Sequence, residues 1–312
     1  MNEQSSPDAF SSAVRRLREA RQRARTALVE PAPPRPPKPL PPTGRAGRNL
    51  PAAIGVGVGL LAVVALSLFV RREAFVVLVV LAVLGALWEL AAAVGQRHIR
   101  IPVLPLWVGA VGILLSAWVA GAEAMLMAFT LTAGGVFVWR VLDGGGMDAV
   151  RDASAGIFAA AYVPYLAGFA LLLLREPDGP WLVVTFLLAT IANDTGGYIA
   201  GVLLGRTPMA PSISPKKSWE GLGGSLVLSV AVAVVLVTLA LDGPWWGGVL
   251  VGAVVVASAT TGDLAESLLK RDLGLKDMGS LLPGHGGIMD RLDSLLVTAP
   301  VCYLVLRLVL GG

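Results

Sequence analysis

From residue 50 to its end, the chain alternates between long apolar runs and short polar connections. A helix of about 20 apolar residues is long enough to cross roughly 30 Å of hydrocarbon. Only 15% of the residues are charged, whereas soluble globular proteins carry about 25%. A transmembrane β-barrel would need alternating strands of about ten residues, which these runs do not show. We therefore predict an all-α polytopic membrane protein.

Hydropathy predicts nine transmembrane helices and a division of the chain into three parts. The helices are expected near residues 50–70, 74–95, 102–120, 123–142, 154–174, 180–205, 221–241, 244–261 and 294–311. The three parts are a tail (1–49), N-terminal transmembrane helices (50–175) and C-terminal transmembrane helices that carry the candidate catalytic site (176–312).

The first 49 residues have a different composition from the rest. The stretch PAPPRPPKPLPP contains eight prolines in twelve residues, which is incompatible with a regular helix or sheet. No apolar core of a signal peptide occurs before residue 50, so we do not expect a cleaved export signal. We predict a disordered, basic and proline-rich cytoplasmic tail. The alternative is a basic segment that rests on anionic lipid headgroups.

The distribution of Lys and Arg predicts the orientation in the membrane. The tail holds ten of them, and with the N-terminus inside, 21 of the 25 lie in the tail or at cytoplasmic connections. The positive-inside rule then selects a cytoplasmic N-terminus. The polar connections 143–153, 206–220 and 262–293 would all face the cytoplasm.

The connection 262–293 gathers many of the charged residues. Asp263, Glu266 and Lys270 follow i, i+3, i+7 spacing and would share one face of a helix. Asp290 and Asp293 are three residues apart, beyond the glycine-rich stretch LPGHGG. We interpret this pattern as two helix ends, each presenting carboxylates, joined by a loop that folds back.

Converging carboxylates repel one another unless a cation lies between them. Oxygen ligands, with no cysteine and a single histidine in this stretch, indicate a hard cation such as Mg²⁺. The alternative is a solvated loop with acid–base pairs such as Glu266–Lys270.

A second polar stretch, PSISPKKSWEG, spans residues 211–221. Lys216 and Lys217 lie between serines, and lysine offers a point charge to phosphate while serine donates a hydrogen bond. Such lysines alone more often determine topology. Next to a carboxylate–metal site on the same membrane face, they indicate a site for nucleotide phosphates.

Two acids lie deep in apolar runs. Asp194, in ATIANDTGGYIAGVLLGR, marks an interior cavity, pathway or site, because a charge at that depth is costly. Asp194 as the N-cap of a break between two half-helices is the alternative. Glu89, in LGALWELAAAVG, is nearer a helix end, and we interpret it as structural.

Residues 267–293, SLLKRDLGLKDMGSLLPGHGGIMDRLD, resemble the signature of the phosphatidate cytidylyltransferases, or CDP-diacylglycerol synthases. That signature has S-x-x-K-R, K-D, P-G-H-G-G and D-R-x-D in this order. SPKKSWEG and NDTGGY resemble two further stretches of the family. The resemblance covers roughly residues 185–294, and the tail is not part of it.

The resemblance implies an enzyme that converts CTP and phosphatidic acid to CDP-diacylglycerol and pyrophosphate for phospholipid biosynthesis. It implies Mg²⁺, with room for a monovalent cation such as K⁺, and a homodimer in a lipid bilayer that binds no nucleic acid. The usage of alanine, valine and arginine is typical of a GC-rich bacterial source. We therefore expect a multi-pass protein of the inner (cytoplasmic) membrane.

The lipid phosphate is the nucleophile of this reaction, and it is largely ionised at neutral pH because its second pKa is about 6. Catalysis then reduces to positioning two anions and neutralising charge. The expected catalytic residues are Asp194, Lys217, Asp263, Asp290 and Asp293, of which Asp263 and Asp290 would hold the metal. The expected substrate-binding residues are Ser214, Lys216, Lys217, Lys270, Arg271, His285, Gly286, Gly287 and Arg291.

Two other functions compete with this one. A CTP-dependent lipid-alcohol kinase would share the nucleotide but would need a general base for its acceptor, and the complete signature argues against it. An ion-coupled transporter would use Asp194 and Glu89 near the middle of the membrane. Here most of the charge lies in the connections between apolar runs.

Overall fold

The computed structural model describes residues 59, 62–279 and 286–311. Residues 62–70 are helical, and a break at residue 71 separates them from a series of longer elements. These elements are α1 (Arg72–Gly95), α2 (Val103–Val119), α3 (Ala122–Asp143), α4 (Met147–Ala160), a π-helical segment (Ala161–Tyr165), α5 (Leu166–Arg175), α6 (Gly179–Leu204), β1 (Pro208–Ala210), β2 (Ser214–Ser218), α7 (Trp219–Leu239), α8 (Trp245–Leu273) and α9 (Met289–Leu310).

Seven helical stretches in the described part are long and apolar enough to cross a membrane, when Met147–Arg175 is taken as one. Helix α2, with 17 residues, is a shorter apolar helix. Large apolar side chains point outward, including Leu131 at 74% and Val227 at 73% exposure, as expected of surfaces that face lipid. The prediction of an all-helical polytopic membrane protein is confirmed at this level.

Nine spans and a cytoplasmic N-terminus stay predictions. The first part of the expected span 50–70 lies outside the described residues apart from residue 59, its second part, 62–70, is helical, and the tail 1–49 lies outside them entirely. The division at residues 175 and 176 is likewise untested, and helices from both parts pack together. Helix α9 packs against α5 and α1, as well as α8.

Helices α6 and α7 approach each other closely through small residues. A side chain at Gly196 would collide with the carbonyl oxygen of Gly224, so both positions need glycine for the backbones to meet. Ser225 Oγ donates to the Asn193 carbonyl at 2.6 Å, and Ser229 Oγ donates to the Ala189 carbonyl at 3.0 Å. Small residues and interhelical hydrogen bonds are the usual means of joining helices in lipid.

A proline interrupts the helix that spans Met147–Arg175. Pro164 has no N–H to donate, and the residues around it, Ala161–Tyr165, form a π-helical turn. Proline inside a helix removes a hydrogen bond and its ring clashes with the preceding turn. The wider π-turn gives the ring the room that it needs. The turn carries Tyr162, whose hydroxyl is buried without a hydrogen-bond partner among the described residues.

The all-α prediction missed a small antiparallel hairpin formed by β1 and β2. Strand β2, SPKKS, contains both lysines that the sequence singled out. Glu220 in α7 secures the hairpin, because its Oε2 accepts hydrogen bonds from the backbone amides of Arg206 at 3.1 Å and Thr207 at 3.2 Å.

Helix α8 extends well past the predicted end of its span at residue 261. It continues through the charged residues to Leu273 and ends at Gly274, which adopts the left-handed conformation (φ 75°). Glycine at this position is the common C-terminal cap, because it tolerates a positive φ without a side-chain clash. The first part of the predicted polar connection is therefore helix.

Candidate active site

The polar residues of four elements meet at one end of the helix bundle. Strand β2 contributes the lysines, α8 and α9 contribute acids from their adjoining ends, and α6 contributes Asn193 and Asp194. The two predicted helix ends do meet, since Lys270 of α8 lies between Glu266 of the same helix and Asp290 of α9. The middle of the predicted loop, residues 280–285, lies outside the described residues.

Asp263 pairs with a lysine from the hairpin. Lys217 Nζ lies 2.6 Å from Asp263 Oδ2, and the two side chains are 24% and 32% exposed. Ser267, one turn later in α8, donates its hydroxyl to Asp263 Oδ1 at 3.2 Å. The pair therefore holds β2 against α8 and leaves both charges accessible from the cavity beside them.

Lys270 lies between two carboxylates that are nearly inaccessible to solvent. Its ammonium is 3.1 Å from Glu266 Oε1 and 3.0 Å from Asp290 Oδ1. The Glu266 side chain has no exposed surface, and neither of its oxygens receives a well-aligned hydrogen bond within the described part of the chain. The predicted alternative of a Glu266–Lys270 pair is thus present, but it is buried rather than solvated.

Asp290 also binds the backbone on both sides of residues 280–285. Its carboxylate accepts the amide of Met278 at 3.0 Å and the amide of Gly287 at 2.9 Å. With Lys270, three donors converge on this side chain. Asp290 therefore anchors the connection between α8 and α9, and its predicted role as a metal ligand stays a prediction.

A cavity of about 250 Å³, which we call the Asp263 cavity, lies between α6, α7 and the hairpin. Asp194 and Asp263 both line it, as the sequence predicted for Asp194. The alternative role of Asp194 as an N-cap is wrong, because α6 runs without a break from Gly179 to Leu204. The remaining lining residues are Asn193, Gly197, Tyr198, Met209, Lys216, Lys217, Ser218, Gly221, Leu222, Ser225 and Thr260.

A second cavity, also about 250 Å³, lies between β2, the end of α8 and the residues that follow it, and we call it the Lys270 cavity. Four of its lining residues are basic and one is acidic, so the lining favours an anion. Lys216 lines both cavities, which are therefore neighbours. The lining residues are Ser214, Pro215, Lys216, Ser267, Lys270, Arg271, Lys276 and Asp277.

The acids suit a hard cation by their chemistry. Asp194, Asp263 and Asp293 come from three helices and lie within electrostatic range of one another. The Oδ1 atom of Asn193 is buried without a hydrogen-bond partner among the described residues. Carboxylate and amide oxygens are the ligands that Mg²⁺ prefers in proteins.

These donors are not preassembled around one point. In the described residues, no three His, Cys, Asp or Glu side chains are grouped closely enough to hold a metal ion. The Lys217 ammonium provides the positive charge beside Asp263 instead. A divalent cation bound at Asp263 would therefore compete with this ion pair.

The remaining predicted residues are only partly located. His285 lies outside the described residues. Gly286 has a positive φ of 82°, which supports the predicted tight turn at this point. Arg291 is exposed and lies within electrostatic range of Asp194.

Sequence reasoning assigned no role at the site to three side chains that lie at or near it. Lys276 lines the Lys270 cavity, and its place as the lysine of the K-D element was a usable signal. Tyr162 lies within electrostatic range of Glu266 and Asp293, which no local pattern indicated. Glu89 was interpreted as structural, and it accepts the backbone amide of Met289 at 3.0 Å.

The chain is similar to known proteins over most of its length. The family model of the "Cytidylyltransferase family" matches residues 51–309. A phosphatidate cytidylyltransferase of Mycobacterium leprae is 41% identical over 281 residues, which cover 85% of this chain and 90% of the relative. One from Mycobacterium tuberculosis is 40% identical over 279 residues, with 85% of each chain covered.

A more distant relative is similar over only part of the chain. The phosphatidate cytidylyltransferase of Haemophilus influenzae is 36% identical over 148 residues, which cover 44% of this chain and 51% of the relative. The family model and the two mycobacterial relatives extend far beyond the signature residues, into the N-terminal helices. The chain therefore belongs to the cytidylyltransferase family.

Proposed function

We propose that the chain transfers the cytidylyl group of CTP to phosphatidic acid and releases pyrophosphate. The observation that carries this is the similarity to two phosphatidate cytidylyltransferases, at about 40% identity over 85% of the chain. The product is CDP-diacylglycerol, a precursor for phospholipid biosynthesis. The S-x-x-K-R and K-D elements of the family signature line the Lys270 cavity through Ser267, Lys270, Arg271, Lys276 and Asp277, which agrees with this assignment.

The two neighbouring cavities suit two anionic substrates. The triphosphate of CTP binds in the Lys270 cavity, where Lys216, Lys270, Arg271 and Lys276 supply four positive charges. The phosphate of the lipid enters the Asp263 cavity, whose lining includes Lys217 and the apolar residues Met209 and Leu222. Tyr198 on α6 lines the same cavity and is 73% exposed, which favours access from the lipid side.

The reaction requires no protein nucleophile. An oxygen of the lipid phosphate forms a bond to the α-phosphorus of CTP. The bond between that phosphorus and the oxygen that bridges the α- and β-phosphates breaks, and this oxygen leaves with the pyrophosphate. Since the lipid phosphate is ionised at neutral pH, no general base is required. Lys216 lines both cavities, so its charge is placed to lower the repulsion between the two anions.

Asp263 and Asp290 would hold Mg²⁺, with Asp293 and Asp194 beside them. A bound Mg²⁺ would neutralise charge on the phosphates and orient them for displacement. The hydrogen bonds to Asp290 from Lys270, Met278 and Gly287 leave Asp263 the more accessible acid of the pair. A monovalent cation such as K⁺ belongs to the same proposal.

The wider setting is part of the same proposal, and the charge distribution of the chain bears on its orientation alone. We place the N-terminus and both cavities on the cytoplasmic side of a bacterial inner membrane, with nine spans and a homodimeric assembly. The charge bias of 21 from 25 basic residues supports the orientation. CTP is then available to the Lys270 cavity from the cytoplasm.

The test uses purified protein in detergent with phosphatidic acid, Mg²⁺, K⁺ and CTP labelled at the α-phosphate. Label should enter the lipid phase, and pyrophosphate should be released in equal amount. A parallel reaction uses CTP labelled at the γ-phosphate. Label that reaches lipid only from the γ-position would identify a kinase, and the absence of labelled lipid in both reactions would reject the proposal.

A further inference from the structure

Glu89 is an acid of the N-terminal part that contacts the connection between α8 and α9. It lies near the C-terminal end of α1 and is 3% exposed. Its Oε2 accepts a hydrogen bond from the backbone amide of Met289, the first residue of α9, at 3.0 Å. Two hundred residues separate the two partners, so no local sequence pattern relates them.

The contact adds a second N-terminal anion to the acid that α9 carries in its own first turn, Asp290. Among the described residues, the N-cap residue Ile288 makes no side-chain capping hydrogen bond. The first amides of a helix lack partners inside the helix, and a negative charge near them is stabilising because of the helix dipole. The carboxylate of Glu89, which belongs to a different helix, accepts the amide of Met289 and places a negative charge near the start of α9.

Glycines surround this carboxylate on both sides of residues 280–285. A side chain at Gly279 would overlap with the carboxyl group of Glu89, and a Cβ at Gly287 would lie 2.5 Å from Glu89 Oε2. One turn earlier in α1, a Cβ at Gly85 would lie 2.6 Å from Ile288 Cδ1. The backbone at both ends of the connection therefore packs directly against α1.

The same two ends are held by Asp290 from within the site. Asp290 accepts the amides of Met278, which precedes Gly279, and of Gly287, and both of these glycines pack on Glu89. Glu89 and Asp290 thus approach the same backbone as two separate anchors. Displacement of this backbone would move Asp290 relative to Lys270 and would alter the Lys270 cavity, which Lys276 and Asp277 also line.

We propose that Glu89 is a positioning residue, which anchors the two ends of the α8–α9 connection and thereby keeps Asp290 and Lys270 in place for the nucleotide. The kinetic part of this inference rests on the proposed function. The structural part does not, because it concerns only the mobility of the backbone around Met278 and Met289. The two parts are therefore tested separately.

Hydrogen–deuterium exchange of the full-length protein tests the structural part without any substrate. Glu89→Gln keeps the shape of the side chain and removes its charge, whereas Glu89→Ala removes both. We expect faster exchange in peptides that cover residues 275–279 and 286–291, more so in Glu89→Ala, and unchanged exchange in α3. The matched control is Glu73→Gln, at the exposed start of the same helix. Exchange at these peptides equal to that of the control overturns the proposal.

Steady-state kinetics tests the second part. Glu89→Gln should raise the KM for CTP by up to about tenfold, because a neutral amide oxygen accepts the Met289 N–H more weakly than a carboxylate does. The KM for phosphatidic acid should change much less, because the α8–α9 connection lines the Lys270 cavity through Lys276 and Asp277 and contributes no residue to the lining of the Asp263 cavity. An equal change in both KM values would overturn a role specific to the nucleotide side. Absence of any transfer in the wild type would count against the proposed function and leave the exchange result to decide on Glu89.

A pair of substitutions tests the direct contact and separates it from a general loss of folding. Gly279→Ala places a methyl group against the Glu89 carboxylate and should increase exchange in the wild-type background. In the Glu89→Ala background the space is free, so the same substitution should add little. Effects that add in full, as for residues that do not touch, would overturn the contact.

Discussion

The ammonium of Lys270 in α8 lies 3.0 Å from Asp290 Oδ1 in α9 and connects the two helices of the site. The same ammonium is 3.1 Å from Glu266, whose side chain has no exposed surface. Two acids therefore share one lysine, and Asp290 receives two backbone amides in addition. Lys270 therefore neutralises two buried acids and also lines the Lys270 cavity.

Loss of the Lys270 charge should destabilise the fold. Lys270→Met leaves Glu266 buried without a cation, and removing one partner of a buried pair costs about 3–5 kcal/mol. Thermal unfolding in detergent should show the decrease. The double variant Lys270→Met with Glu266→Gln should recover most of the stability but not the activity. Equal stability of the single variant and the wild type would contradict a structural role for this pair.

Substitution of either carboxylate should strongly reduce transfer, and substitution of Asp290 should in addition loosen the α8–α9 connection that it anchors. Asp263→Ala and Asp290→Ala should each reduce kcat/KM by on the order of 100-fold or more, the loss expected when one electrostatic contact to the reacting groups is removed. Incorporation of α-label into lipid measures it. Asp242→Asn is the control, because Asp242 lies in the α7–α8 connection and its positive φ of 50° suits asparagine. Full activity of either alanine variant would remove that acid from the site.

Removal of divalent metal should stop the reaction. Treatment with EDTA should abolish label transfer to lipid, and excess Mg²⁺ should restore it, because the acids around the Asp263 cavity repel one another and the phosphates without a cation. Circular dichroism of the treated protein serves as the control for unfolding. Unchanged transfer after chelation would mean that the basic side chains suffice.

The basic cavity should determine the affinity for CTP. Lys276→Gln removes one of its four positive charges, so the KM for CTP should rise by several-fold to about tenfold, while the KM for phosphatidic acid stays nearly constant. Lys276→Arg retains the charge and should behave close to wild type. A rise in the KM for the lipid alone would mean that the two substrates are assigned to the wrong cavities.

Close packing of α6 on α7 should be sensitive to one methyl group. Gly196→Ala would force Cβ into the Gly224 carbonyl, and overpacking of this kind costs about 1–3 kcal/mol. The control is Gly223→Ala on α7, one residue before Gly224. Its Cβ meets no atom within 4 Å, so the variant should be neutral or slightly stabilising, because alanine has the higher helix propensity. A thermal unfolding temperature equal in both variants would contradict the close contact.

Several features of this protein follow from residues that are near one another in the chain. Apolar runs are local, so they predicted the helical membrane class and the approximate positions of the helices that the structure describes. Gly274, whose left-handed conformation ends α8, and the spacing of Asp263, Glu266 and Lys270 act within one helix. The signature residues indicated the family, because the chemistry of phosphates and metals restricts which side chains can occupy those positions.

Only the tertiary structure decided which of these residues meet. The partner of Asp263 is Lys217 from a hairpin that the helical prediction missed, and Asp290 holds Met278 and Gly287 as well as Lys270. Glu89 reaches Met289 across 200 residues of sequence. Such contacts depend on the orientation of whole helices, which is set by close approaches such as Gly196 against Gly224. Hydropathy and spacing describe each helix alone, and the relative positions of helices arise only when their side chains pack.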